Sequence, residues 1–197
     1  MMNAQTSPYS RMTRDDKERR LHQRARSIWM TGLSGAGKTT LALGLEKELF
    51  HRGFTVKLLD GDDVRTGLNK DLAFSPGDRT ENIRRIAEVN RLFVQSGIIT
   101  ISCFISPTLE IRKMARNIIG TDDFIEVFVK APLDICEKRD VKGLYARARA
   151  GLIREFTGID APYEEPVSPE LVIDTSSMSI EQSIDLALKK IIPRIEF

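Results

Sequence analysis

Apolar positions fall into short, nearly continuous runs separated by longer stretches of helical spacing. Ile28-Trp29-Met30 is the first apolar run, and Thr39 to Phe50 reads as a helix that Gly53 stops. Phe54 to Leu59 reads as a second strand, ending in Asp60-Gly61-Asp62-Asp63. Residues 64–80 are polar and glycine-spaced, too long for a simple turn. Glu81 to Ser96 predicts a helix with Ile83, Ile86, Ala87, Phe93 and Val94 near one face, stopped by Gly97. Ile98 to Ile105 is β-branched enough to be a fully buried strand. Ser106-Pro107 then predicts an N-cap with proline at the first helical position, opening a helix to about Ile118. Phe124 to Val129 predicts a fourth strand, Pro132 to Arg139 a short helix, and Leu171 to Asp174 a fifth strand. A capping box, Ser179-x-x-Gln182, opens a last helix that Pro193 should end at Ile192. Strands alternating with helices predict an α/β chain with a five-stranded parallel sheet covered on both faces. Residues 140–168 break the alternation with basic side chains, glycines and prolines, the pattern of a lid over the sheet edge.

Composition narrows the class. A chain of 197 residues, 41% hydrophobic and 29% charged, is long enough for one domain with a substantial core. The net charge of +2 supplies no global field for nucleic acid, and no apolar run approaches a membrane span. Cys103 and Cys136 lie in apolar segments and read as buried free thiols, which suits a cytoplasmic protein. Asp15, Asp16 and Glu18 argue against a targeting peptide. Residues 1–10 are polar and expected to be loose. The rest of the 1–25 arm is rich in arginine and lysine, either a basic arm that touches phosphate or, more commonly for such runs, a solvated helix. The main domain is expected from 26 to 197.

Between the first strand and helix lies Gly32, Leu33, Ser34, Gly35, Ala36, Gly37, Lys38, Thr39, Thr40, the pattern G-x-x-x-x-G-K-[ST]. Glycines let backbone N–H groups turn inward around an anion, and the helix N-terminus adds its positive dipole end. Lys38 offers a point charge to the outer phosphates and the Thr39 hydroxyl a ligand for Mg²⁺. This strand–loop–helix implies binding of a nucleoside triphosphate such as ATP.

Opposite it, acids at the C-terminal end of the second strand face the edge where open α/β sheets bind ligands. Asp62 is the better candidate to meet an acceptor hydroxyl, with Asp60 its competitor or a structural and Mg²⁺-shell residue. Arg65, Arg79 and Asn82 suit an anionic acceptor, because guanidinium forks onto phosphate or sulfate oxygens. Phe74 and Phe156 stand in polar stretches, as rings beside a purine or, more simply, as loop-anchoring core. Ser106 can cap and touch ligand, with neither His22 nor His51 placed to activate it.

Together these segments closely resemble adenylylsulfate kinases, P-loop kinases of three-layer α/β fold. The resemblance runs from about Arg26 to Thr175. It rests on residues 29–40, Leu59-Asp-Gly-Asp62 with Val64-Arg65, 67–72, Asp78-Arg79, 81–86, Phe104-Ile-Ser-Pro107, 139–145 and Phe156-Thr-Gly-Ile-Asp160. It implies transfer of the ATP γ-phosphoryl to the 3′-hydroxyl of adenosine 5′-phosphosulfate (APS), with Mg²⁺, by a stand-alone homodimer. Asp62 matches the acid near that hydroxyl, and Arg65, Arg79, Asn82, Ile105, Ser106 and Lys142 match APS-binding positions. Phe74 and Phe156 match the pair around the APS adenine, and Arg149 the lid arginine near the ATP adenine. Ser106 also matches a serine described in the family as a phosphorylated intermediate, although a loose transition state needs no enzyme nucleophile. The chain departs from the family at Thr108, where an aromatic is usual, and at Ala73 and Glu155, where glycine is usual before each phenylalanine. Glu155 thereby brings a negative charge beside the aromatic clamp. The alternatives are another small P-loop nucleotide or metabolite kinase, or a nucleotide-dependent switch, which would need neither acceptor arginines nor a lid.

Overall fold

The computed structural model describes residues 11–197; the expectation for residues 1–10 lies outside them. The chain runs α1 (Arg14–Leu21), β1 (Ser27–Thr31), α2 (Lys38–His51), β2 (Val56–Asp60), α3 (Gly61–Thr66), α4 (Pro76–Gln95), β3 (Ile99–Cys103), α5 (Leu109–Ile119), β4 (Phe124–Lys130), α6 (Leu133–Arg139), α7 (Leu144–Arg149), β5 (Leu171–Asp174) and α8 (Ile180–Ile195). The strands form one parallel sheet in the order β2-β3-β1-β4-β5. Every residue of β1 and β3 is buried, as near-continuous apolar runs require in a sheet covered on both faces.

Strand periodicity divides the core. Ile28 and Met30 point toward α2 and α8, joining Leu41, Leu45, Leu49, Leu188 and Ile191. Trp29 points the other way, toward α4 and α5, and packs between Phe104 at 5.6 Å and Phe124 at 5.5 Å. Because β1 is central, with β3 and β4 on either side, the loop that leaves it opens at the sheet's switch point.

Three helix boundaries differ from expectation. Proline at the first helical turn does open a helix, but at Ser75-Pro76, where Ser75 Oγ accepts from the Asp78 amide; α4 thus begins five residues before Glu81. Ser106-Pro107 opens none. Thr108 caps α5 by accepting from the Ile111 amide, and Ser106 sits at φ 39, outside any helix. At the other end, α8 continues through Pro193 to Ile195. Buried Ile195 holds that last turn against the body, and its carbonyl accepts from the Arg24 amide at 2.7 Å.

Thr13 and Asp16 form a capping box on α1. Arg14 and Arg26 both grip Asp123, which precedes β4, and buried Gln23 bonds Thr55 and Gly97 just before β2 and β3. These are the N-terminal ends of the strands, so α1 lies at the sheet edge opposite the phosphate loop. The described part of the basic arm is a helix docked at that end of the sheet.

Candidate active site

The phosphate loop owes its shape to backbone freedom and to outside partners. Gly32 sits at φ 151, and a β-carbon there would run into the Val129 carbonyl. Gly35, at φ 74, lies so close to α6 that a β-carbon would come within 2.8 Å of the Cys136 carbonyl. The loop's carbonyls are taken up from outside. Tyr145 donates to Ser34 O at 2.9 Å, Arg139 to Gly35 O at 3.3 Å, and Thr175 to Ala36 O at 2.8 Å. Arg139 in turn holds the Thr175 hydroxyl and carbonyl. With these three carbonyls engaged outward, and the Ala36 amide closing a turn on Leu33 O at 3.2 Å, the loop's other amides are left for an anion. Sequence reasoning missed Arg139, Tyr145 and Thr175. Residues 139–145 were part of the resemblance, but nothing local tied them to a loop a hundred positions away.

Lys38 lies buried in this loop, donating to Gly32 O and Leu33 O, both at 2.8 Å. Burial pushes its ammonium down to about 8, far below an ordinary lysine. Thr39 donates to Asp60 at 2.8 Å, and the other oxygen of that carboxylate caps α3 through the Asp62 amide at 3.0 Å. Asp60 therefore joins the phosphate loop to the α3 corner, the structural role weighed for it. Hydroxyl and carboxylate together make a hard oxygen pair of the kind Mg²⁺ prefers. Among the described residues no group of three histidine, cysteine or carboxylate side chains can hold a metal by itself.

Asp62, one position into α3, is mostly exposed and forms an ion pair with Lys142 of the lid. Arg65 donates to the Leu72 and Ala73 carbonyls and covers the Phe74 ring at 4.3 Å. Arg79 donates to Phe74 O at 2.9 Å, Thr157 Oγ1 at 2.7 Å and Glu155 O at 2.5 Å, tying together the two loops that carry the phenylalanines. Burial lowers both guanidiniums, and Arg65 is lowered further by Arg79, while nearby Asp62, Asp78, Glu155 and Asp160 act in the opposite direction. Asn82 is buried and accepts from Asn69 at 2.9 Å, a partner the sequence reading gave no role.

The phenylalanines are unlike. Phe74 is 62% exposed, whereas Phe156 is buried edge-on against Tyr145 at 5.0 Å, inside the core cluster. Phe156 packs into the core beside its loop, and the structure holds no contact between the two rings. Arg149 is paired to Glu137 of α6, the helix that packs on Gly35. Ser106 is buried and accepts from Trp29 Nε1 at 3.2 Å, while Thr31 donates to Ile105 O at 2.7 Å. A cleft of about 560 Å³ runs along Leu33 between Pro132, Ile159 and Tyr163. Both cysteines are buried and free, and burial raises both thiols, which keeps them protonated and unreactive.

Glu155 is a non-glycine residue at φ 54, held there by Asp160, whose carboxylate accepts from the Glu155 amide at 2.7 Å and the Phe156 amide at 2.5 Å. A left-handed backbone explains why glycine suits this position. Glu155→Gly is expected to stabilise the fold by about 0.5 kcal/mol, strain relief slightly exceeding the added unfolded-state entropy. It should also lower KM for an anionic acceptor by removing a like charge. Thermal unfolding and steady-state kinetics of the variant check both.

The profile of the adenylylsulphate kinase family matches residues 24–174. An adenylyl-sulfate kinase of Bacteroides thetaiotaomicron is 60% identical over 185 residues, 94% of this chain and 92% of that protein. One of Bacillus pumilus is 53% identical over 88% of each chain. The structure is similar to a Mycobacterium tuberculosis APS kinase solved in complex with AMPPNP and APS, with 44% identity and a TM-score of 0.82 over 86% of this chain and 98% of that one. A phosphate loop, an opposing acidic corner and a basic lid are joined in one continuous match, and the chain belongs to the adenylylsulfate kinase family, enzymes that phosphorylate adenosine 5′-phosphosulfate.

Proposed function

We propose the following division of labour for the phosphorylation of APS by ATP. The backbone amides of residues 32–40 and the Lys38 ammonium receive the triphosphate, drawing charge off the γ-phosphoryl as it loosens from ADP. Lys38 then leaves the Gly32 and Leu33 carbonyls for phosphate oxygens, which restores a favourable partner to a cation that burial otherwise penalises. Thr39, with Asp60 behind it, holds Mg²⁺, which when bound neutralises phosphate charge. Arg65, Arg79, Asn82 and the Ile105–Ser106 backbone receive the phosphosulfate end of the acceptor. Phe74, exposed on the side away from Arg65, faces the adenine, with the Phe156 loop as its opposite wall and Arg149 on the ATP side of the lid.

Asp62 accepts the proton of the 3′-hydroxyl as that oxygen attacks the γ-phosphorus in line, and the phosphoryl passes directly between nucleotides. The observation that carries this assignment is the Asp62–Lys142 ion pair, which brings the lid across to the acid facing the acceptor. When the lid is shut, water is kept from the triphosphate. Ser106 in this scheme is a wall and not a nucleophile, since its hydroxyl is engaged by Trp29 and no general base touches it. A homodimer working in the cytoplasm completes the proposal, on the habit of the family. Among the described residues no helix is long and apolar enough to cross a membrane.

Coupled ADP release tests the scheme. Turnover is expected with ATP, Mg²⁺ and APS and not with other nucleotide or sugar acceptors. Ser106→Ala should keep at least a tenth of that turnover. Complete loss in a folded Ser106→Ala protein would put the phosphoryl group on the serine instead.

A further inference from the structure

Arg112 on α5 is 3% exposed, one of the most deeply buried cations among the described residues, and none of the roles above uses it. Its guanidinium serves three separate parts of the chain. Nε lies 2.9 Å from Glu126 of β4, a charge contact without an aligned hydrogen bond. Nη1 donates to Ser106 O at 2.7 Å, and Nη2 to Glu164 O at 2.6 Å. Glu164 belongs to the segment by which the lid returns to the sheet. That segment is fastened to the same loop twice more: the Glu164 amide donates to Pro107 O at 2.8 Å, and its carboxylate accepts from the Leu109 amide at 2.6 Å. Next to it, the Tyr163 hydroxyl lies 3.0 Å from Thr31 Oγ1, which itself holds Ile105 O.

Ser106 meanwhile occupies a left-handed backbone conformation at φ 39, which a residue with a β-carbon keeps only when its surroundings impose it. Those surroundings are the Trp29 indole on its hydroxyl and the Arg112 fork on its carbonyl, with the Thr31 hydroxyl 3.4 Å from the same oxygen. A planar fork with donors at fixed separation can hold two carbonyls and face a carboxylate at once, whereas a lysine ammonium is a point charge without that fixed separation.

We infer that Arg112 is a positioning residue for the acceptor side of the site: it imposes the Ser106 conformation and locks that wall to the returning end of the lid. The inference rests on the reading that Ile105–Ser106 line the APS site. Arg112 touches no reacting atom. Its work is to make wall and lid return one rigid piece, while the phosphate loop, held separately by Arg139, Tyr145 and Thr175, is left alone.

That separation is what an experiment reads. Arg112→Lys keeps a cation opposite Glu126 but loses the planar fork whose separated donors reach the Ser106 and Glu164 carbonyls. Arg112→Met combined with Glu126→Leu replaces the buried pair by apolar groups of similar volume, a change that folds tolerate far better than leaving Glu126 with only the longer Arg116 contact at 3.4 Å. For either variant that folds, kcat/KM for APS is expected to fall at least tenfold while KM for ATP stays within about twofold, and ADP binding by calorimetry stays unchanged. A parallel loss for both substrates, following the drop in melting temperature, would mean that Arg112 merely stabilises the fold. Unchanged APS kinetics in the folded double variant would overturn the inference while leaving the assigned reaction intact. A failure of Ser106→Gly, which frees the backbone held at φ 39, to alter KM for APS would instead remove the reading beneath it.

Discussion

Lys38→Met is expected to lower turnover by about three orders of magnitude, on the scale of removing one preorganised donor from developing charge, with little change in melting temperature. The reason is that the unliganded protein gains little from this cation. Lys38 is buried, its partners are two carbonyls rather than an acid, and its ammonium is pushed down to about 8. Methionine fills the same space without the desolvation penalty. The same shift fixes the sign of a pH effect. Between about 8 and the unfolded value of 10.5 the unfolded chain holds a proton that the folded chain has released. Stability from this group therefore rises with pH across that window and is lost as pH falls through 8. Chemical denaturation of wild type and Lys38→Met from pH 7.5 to 10.5 should show the difference moving in favour of wild type. A difference independent of pH would mean that Lys38 keeps its ordinary affinity for protons in the fold.

The second large effect is expected at Asp62. Asp62→Asn keeps the shape and the cap on α3, which comes from Asp60, but removes the oxygen able to take the proton of the 3′-hydroxyl. Turnover should fall by two or more orders of magnitude, the usual contribution of a positioned acid or base. KM for ATP should hold steady, because the donor side depends on Lys38, Thr39 and the loop amides. Near-normal turnover would transfer the role to Asp60 or to water. Asp60→Asn makes the contrast: it disturbs the Thr39 contact and the α3 cap together, so it should weaken donor binding as well as turnover.

Much of this site was legible along the chain because its parts are contiguous. The phosphate loop is nine successive residues whose function depends on local backbone geometry. The strand runs are buried on both faces and advertise themselves by composition. The Ser179–Gln182 box closed as written, both bonds lying within four residues. Errors came where the same local grammar had competing users. Ser-Pro marks a helix start at Ser75, but the equivalent pair at Ser106 is claimed by Trp29 and Arg112, and Thr108, one of the departures from the family pattern, takes over the cap. Proline stopped no helix at 193, because packing of buried Ile195 outweighs the loss of one hydrogen bond in the last turn.

By itself the sequence determined the alternation of strand and helix, the donor loop and the identity of the groups available to an acceptor. Those are properties of residue type and near spacing, carried by steric and hydrophobic rules that act over a few positions. Only the tertiary structure decided which groups meet. Lys142 reaches Asp62 across 80 positions, Thr175 holds the phosphate loop across 139, and Arg79 joins the two phenylalanine loops across 76 to 78. It also decided that Phe156 is core while Phe74 is free, and that Arg112 faces inward. Partners at such separations are set by how helices and lid pack over the C-terminal edge of one sheet, and a polar side chain in sequence carries no mark of whether its partner will be water, a carbonyl or a nucleotide.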